Sequence, residues 1–381
     1  TTFPGDDAAP INIRIAFTEI FCQKFSEAML LPRLPLPAGV GQGRRHPSLI
    51  PSPCAGQSVL YTSAGRQNRA KRKIRLPPKR VTDRQQALRT ENENTKDMPP
   101  IKIYKFGGAS VRSAEGVENL ARIVAAEPAR LLVIVSAMGK TTNALEEVLD
   151  RFMRNRSDKA IERFAEIERY HRQIVRSLFA DPSSVEARTE KLASEVRELL
   201  RSETCREDYD RWYDRIVSYG ELLSTVIVSE YLAAQGTPNR WLDMRGLFVT
   251  DSRYREATIN VDRSARALRR AVDAAPERVL VGQGFIGATP AGRPTTLGRE
   301  GSDYSAAMAG YLLDAGSVTI WKDVDGILSA DPRLFADTML IPELSYLDAI
   351  ELAYAGAQVI HPKTIKPLQN KNIPLYVRPF G

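Results

Sequence analysis

From residue 98 onward the chain alternates between short, almost uninterrupted runs of Val, Ile and Leu and longer segments with apolar residues at helical spacing. No other feature limits the possible folds as strongly. The runs 101-IKIYKF-106, 131-LLVIVSA-137, 240-RWLDM-244, 278-RVLVGQGF-285, 317-SVTIWKDV-324 and 374-PLYVRP-379 predict strands. Several are apolar on both faces, which suits a strand only when both faces are covered. Helical patterns occupy 113–126, 143–153, 211–235, 261–273 and 303–314. Alternating β and α units imply an α/β fold, a largely parallel central sheet sandwiched by helices. The charged segment 155–203, with apolar residues at helical spacing, predicts a helical excursion from this domain, which is taken as 98–381.

Residues 1–97 follow different rules. They hold 16 of the 54 Lys/Arg and 8 of the 46 Asp/Glu, so the net charge of +8 belongs to this quarter and the remainder balances. A nucleic-acid-binding core is therefore not expected. Prolines recur in 31-LPRLPLPAGVGQGRRHPSLIPSPCAG-56 and exclude long helices and central strands, which predicts a disordered basic extension. A secretory signal would need an uninterrupted apolar stretch, which is missing. The basic run 71-KRKIRLPPKR-80 offers a nucleic-acid or nuclear tag as a second account. The preferred account is an upstream extension of the reading frame: the chain starts at Thr1, and Met98 stands just before the first good strand. No function is assigned to these residues.

The hydrophobic share of 43% and charged share of 26% are those of an ordinary globular chain. No run of 18 apolar residues occurs, so no membrane partner is expected. Cys22, Cys54 and Cys205 show no CxxC spacing, and His46, His171 and His361 are equally scattered. Neither a disulfide framework nor a protein-ligated metal is expected from them.

Two familiar patterns fail their context. The run 282-GQGFIG-287 matches G-x-G-x-x-G, but 288-ATPAGRPTTLG-298 cannot open the helix a dinucleotide site needs. The run 139-GKTT-142 resembles the end of a phosphate-binding loop, but Ile134 stands where its first glycine belongs.

A distributed signal carries more. In 103-IYKFGGASV-111 a strand ends at Lys105, Gly107 and Gly108 allow close backbone approach, and Ser110 or Ser113 can cap a helix. The stretch 133-VIVSAMGKTTN-143 offers Ser136, Thr141 and Thr142, and 218-SYGELLST-225 places Glu221 in an apolar helix. In 295-TTLGREGSDYSAAMAG-310 glycines flank Arg299, and Ser302 or Asp303 is positioned to cap the next helix. The stretch 320-IWKDVDGILSADPR-333 adds a strand followed by acidic turn residues. Four of these five lie beyond the carboxyl end of a strand, where parallel sheets bind ligands. Lysines, an arginine and helix N-termini on one edge suit a phosphate-bearing ligand, and phosphoryl transfer needs mainly positioning and charge.

With 356-GAQVIHP-362, these motifs resemble in combination and order the aspartokinases, of the amino-acid-kinase fold, over about 98–381. The resemblance implies phosphorylation of the side-chain carboxylate of L-aspartate by MgATP, towards lysine, threonine and methionine, in the cytoplasm. It implies ATP and Mg2+ as cofactors, with the metal carried on the nucleotide, no nucleic-acid partner, and room for a homodimer. Lys105 and Asp303 would be catalytic, the lysine touching the transferring phosphate beside Gly107 and Gly108 and Asp303 orienting it. Thr142, Glu221, Arg299, Glu300, Gly301 and Ser302 would hold aspartate, with Arg299 on a carboxylate and Glu221 facing the ammonium. Lys322, Asp323, Leu328, Arg333, Gln358 and Val359 would frame the nucleotide. His361 is assigned to structure, near a helix start.

The chain departs from the family pattern at Ala109, where Ser or Thr is usual, and at Glu300, which replaces a glycine. It departs again at Leu328, where a tyrosine is common, and at Gln358, where a lysine is usual; Lys363 lies close enough to substitute. It ends at the last strand expected of the catalytic domain, before the ACT modules that generally follow, which predicts a fragment. Rival expectations are a kinase for glutamate, N-acetylglutamate, carbamate or UMP, or a non-catalytic regulatory module of the same fold.

Overall fold

A computed structural model describes residues 13–16, 100–202, 208–324, 326–330, 335, 337–355 and 360–381. Its centre is a sheet containing all six expected strands: β2 (Lys102–Phe106), β3 (Leu131–Val135), β4 (Asn239–Leu242), β5 (Val279–Gln283), β8 (Ser317–Lys322) and β10 (Leu375–Pro379). They lie in the order β4-β5-β3-β2-β8-β10, and every neighbouring pair is parallel. Beyond β10 the sheet adds β1 (Ile13–Ala16), antiparallel to it, and β9 (Glu343–Ser345), parallel to β1. The expected disordered extension thus contributes one strand. A strand of only four residues, paired here between β10 and β9, is too short for a reading based on long apolar runs. The rest of 1–97 lies outside the described residues. A separate hairpin joins β6 (Ile286–Ala288) to β7 (Pro294–Thr296).

Alternation along the strands divides the core into two layers. Ile103, Leu132, Ile134, Leu280, Val318 and Ile320 face one side. There they meet helices α7 (Val261–Asp273) and α8 (Gly301–Leu313). Tyr104, Phe106, Leu131, Val133, Val135 and Val281 face the other, against α1 (Ala114–Ala126) and α6 (Tyr219–Ala234). Lys105 has the parity of Ile103 and so points toward α8. The face of α8 against the sheet is built from Ala306, Ala307, Ala309 and Gly310, and a Cβ at Gly310 would lie 2.7 Å from Val318 Cγ2. Small residues bring this helix close to the strand that carries Lys105.

The charged segment 155–203 forms two helices, α3 (Ser157–Leu178) and α4 (Ser183–Arg201). With α2 (Thr141–Met153) and α5 (Tyr209–Val217) they enclose a third apolar cluster around Phe152, Phe164, Val196 and Trp212. The expected helix 211–235 is two helices, α5 and α6, meeting at Ser218. The stretch Tyr209–Ala234 is long and apolar enough to cross a membrane by composition, but its most apolar window is 89% buried inside the protein. It is a core helix pair. Helices α9 (Tyr346–Tyr354) and α10 (Pro362–Gln369) complete the described chain, and His361 caps α10, its Nδ1 accepting from the Lys363 N–H at 3.1 Å.

Candidate active site

The carboxyl ends of β2, β3 and β8 open onto a cavity of about 830 Å³, together with the N-termini of α2, α6 and α8. Of the residues expected at the site, ten line it: Lys105, Gly108, Thr142, Glu221 and Arg299, then Glu300, Gly301, Ser302, Asp303 and Lys322. Gly107 stands beside them: a Cβ there would lie 3.5 Å from Lys105 Nζ. Asp323 is exposed and Leu328 half-buried; neither lines the cavity, and Leu328 pairs instead with Leu340 across an isolated β-bridge. Arg333, Gln358 and Val359 lie outside the described residues.

The strongest charge interaction is on the strand side. Asp303 is buried in the first turn of α8, with Oδ1 2.5 Å from Lys105 Nζ and Oδ2 3.3 Å from Lys322 Nζ. Burial alone would raise its carboxyl, but the two ammonium groups more than reverse this and hold it below the usual range. Asp303 does not cap α8, and neither does Ser302. The helix begins two residues earlier than expected, at Gly301, and the cap position is Glu300 in a left-handed conformation with φ 52°. No side chain caps this end, where a helix start favours an anion, although the Gly301 N–H itself donates to the Gly298 carbonyl at 3.0 Å.

Across the cavity Glu221 occupies the first turn of α6, and it too is buried. Its Oε1 accepts the Ala137 N–H at 3.3 Å, and its Oε2 has no hydrogen-bond partner among the described residues. Burial pushes its carboxyl up to about 8, against a smaller lowering by the Ala137 N–H. Thr225, one turn on, accepts from Gln283 Nε2 at 2.7 Å and Trp241 Nε1 at 3.0 Å, which ties this part of α6 to the sheet.

Gly108 lets the two phosphate-type turns touch. A Cβ there would lie 2.5 Å from the Ala137 carbonyl, and the Gly139 N–H donates to the Gly108 carbonyl at 2.9 Å. The turn after β3 contributes Ser136 and Thr142 to the cavity, whereas the buried Thr141 donates its hydroxyl to the Met138 carbonyl at 2.6 Å. Ser113, not Ser110, caps α1, through the Gly116 N–H. The glycines of 282–287 open no helix, for the chain passes from β5 straight into β6.

The wall opposite Lys105 was not anticipated. It consists of Asp210 and Tyr213 on α5 and the loop residues Arg253, Tyr254, Arg255 and Glu256. The run 251-DSRYRE-256 is dense in charge, the one trace it leaves in the sequence. Among the described residues no group of three or more His, Cys, Asp or Glu side chains is placed to hold a metal ion.

The chain matches the model of the amino acid kinase family over residues 100–379. It is 34% identical over 288 residues to lysine-sensitive aspartokinase 3 of Escherichia coli, covering 74% of this chain and 62% of that protein. It is 35% identical over 284 residues to the chloroplastic bifunctional aspartokinase/homoserine dehydrogenase 1 of Zea mays, covering 72% of this chain and 30% of that one. Among solved structures, E. coli aspartokinase III in complex with aspartate and ADP superposes with a TM-score of 0.64 at 31% identity, covering 74% of this chain and 62% of that one. The chain thus spans between about a third and three-fifths of the length of these relatives. Its fold, the order of its motifs and the family match agree, and the chain belongs to the amino acid kinase family.

Proposed function

We propose that this chain transfers the γ-phosphoryl group of ATP to the side-chain carboxylate of L-aspartate, giving 4-phospho-L-aspartate. The observation that carries the reading is the buried Asp303 carboxylate holding Lys105 and Lys322 at the N-terminus of α8, facing Glu221 across one cavity. A structure similar to this chain contains aspartate and ADP.

In this reading Arg299 forks onto the α-carboxylate and Glu221 accepts from the ammonium through its free Oε2. The side-chain carboxylate is then directed at Lys105. One of its oxygens attacks the γ-phosphorus, the bond to the β–γ bridging oxygen breaks, and ADP leaves with that electron pair. The nucleophile is already an anion, so no proton has to be removed. What the reaction needs is neutralisation of charge on the transferring group, which two ammoniums and a helix start supply. Asp303 keeps the two lysines together in place of mutual repulsion. Mg2+ would be carried on the nucleotide phosphates, and among the described residues no carboxylate cluster is placed to hold it. The compartment proposed is the cytoplasm, whereas the plant relative named above is chloroplastic.

The test is MgATP-dependent formation of aspartyl hydroxamate by residues 1–381, residues 98–381 and Lys105→Ala, with glutamate as control substrate. Activity in the first two and its loss in the third is the expected result. A folded, ATP-binding protein that makes no hydroxamate from aspartate would overturn the assignment.

A further inference from the structure

We infer that Asp214 is a positioning residue that locks two walls of the cavity together, the loop 251–256 and the strand leading into Arg299. Asp214 is fully buried on α5. Both its carboxylate oxygens accept the Arg255 N–H, at 3.1 and 3.0 Å, and its Oδ1 also accepts the Thr296 hydroxyl at 2.6 Å. These partners are 41 and 82 positions away in the chain. Thr296 lies on β7, three residues before Arg299.

The bond to Arg255 falls where the loop needs it. Arg255 is left-handed with φ 65°, a conformation disfavoured for a residue with a side chain. Its guanidinium lies 4.5 Å from the centre of the Tyr213 ring and 3.2 Å from Asp210, both on α5. The bend thus lays Arg253–Glu256 along the cavity. Gly298, with φ 79°, packs against the same bend: a Cβ there would be 3.2 Å from the Arg255 carbonyl and 3.3 Å from Glu256 Cγ. A shift of Arg255 is therefore passed directly to the residue before Arg299. On the other side Lys363 Nζ donates to the Leu297 carbonyl at 2.8 Å, so the start of the Arg299 loop is gripped from two directions. A fully buried carboxylate is costly to keep, and burial pushes Asp214 up to about 6. The bonds it makes to Arg255 and Thr296 offset that cost.

This inference rests on the reading of the Arg299 loop as the aspartate site, and it concerns Asp214→Ala, Asp214→Asn and Thr296→Val in the full chain. Asp214→Ala raises the KM for aspartate about tenfold or more with kcat and the KM for ATP little changed. Thr296→Val, which removes one hydrogen bond, raises it roughly fivefold. Asp214→Asn keeps an acceptor for the Arg255 N–H and restores most of the loss. Limited trypsin digestion after Arg253 and Arg255, both exposed, provides a readout that needs no substrate, and cleavage there accelerates in the Ala and Val variants. If the aspartate reading fails, the wild type makes no hydroxamate while the tryptic difference persists. An unchanged aspartate KM and unchanged cleavage in folded variants would overturn the role of Asp214. So would a loss spread evenly over kcat and both KM values, which marks general unfolding.

Discussion

Asp303 and Glu221 occupy the same place in two different helices: each is buried in a first turn whose N-terminus opens on the same cavity. A helix start favours a carboxylate, yet their protonation moves in opposite directions. Asp303 faces Lys105 and Lys322 and is held below the usual carboxylate range, whereas Glu221 has one N–H and is pushed up to about 8. The difference lies in the neighbours. Asp303 is complete without a ligand and acts as a fixed anion that organises cations. Glu221 is incomplete, and the group it lacks is a cation with hydrogen to donate, which matches the ammonium of an amino acid.

The largest expected effect comes from breaking the complete member of the pair. Asp303→Asn leaves two lysine charges facing each other at a buried position. Removing one partner of a buried ion pair costs about 3–5 kcal/mol of stability, and kcat is expected to fall about 10³-fold as the charges lose their aim. Thermal unfolding and single-turnover kinetics measure the two effects separately. Activity within tenfold of wild type would mean that the lysines hold their positions without Asp303.

Glu221→Gln, by contrast, removes a charge that the fold itself does not use. The KM for aspartate is expected to rise about 10–100-fold through loss of a charged hydrogen bond, with kcat and the KM for ATP nearly unchanged. Stability should not fall. A lower thermal midpoint in this variant would show that the fold depends on the charge after all.

A pH series sharpens the same contrast. A carboxyl raised to about 8 is mostly protonated at pH 6.5 and ionises as pH rises through 8. The KM for aspartate should therefore fall between pH 6.5 and 8.5 in the wild type and stay flat over that step in Glu221→Gln. Stability moves the other way. The folded state binds this proton more tightly than the unfolded chain, so the Glu221 contribution is lost as pH rises from the unfolded value of 4.5 through 8. The stability of Glu221→Gln relative to wild type should then be greater at pH 8 than at pH 5, as urea titrations at the two pH values would report.

How much of this could be seen in the sequence depends on what each feature needs. The central strands β2, β3 and β5 were legible because a parallel strand covered on both faces must be apolar throughout. The short strands β1, β6, β7 and β9 were not, since three or four residues carry too little pattern to stand out. The break at Ser218 hides inside an unbroken apolar pattern, because both α5 and α6 are buried. The cavity residues carried by local motifs, from Lys105 to Lys322, were legible from those motifs. Asp214 was missed because it is one aspartate in a helical pattern, and its meaning lies in partners 41 and 82 positions away. Asp303 was found for a mixture of reasons: resemblance assigned it to the lysine, while propensity alone made it a helix cap.

The smallest effect concerns a third carboxylate in the cavity. Glu300 sits at the α8 cap position with φ 52°, a conformation that glycine adopts freely and glutamate does not. Its side chain does not cap the helix, and its Oε2 is buried without a hydrogen-bond partner among the described residues. It resembles Glu221 in that lack and differs from Asp303, which is ion-paired with Lys105 and Lys322. Glu300→Gly removes both the backbone strain and the buried oxygen, against a gain in unfolded-chain entropy. The strain relieved is about 1–2 kcal/mol and the entropy of the added glycine offsets about half of it. The expected result is a thermal midpoint raised by roughly 1–3 °C. A midpoint that falls instead would place Glu300 with Asp303, as a carboxylate whose surroundings already hold it, and would separate it from Glu221.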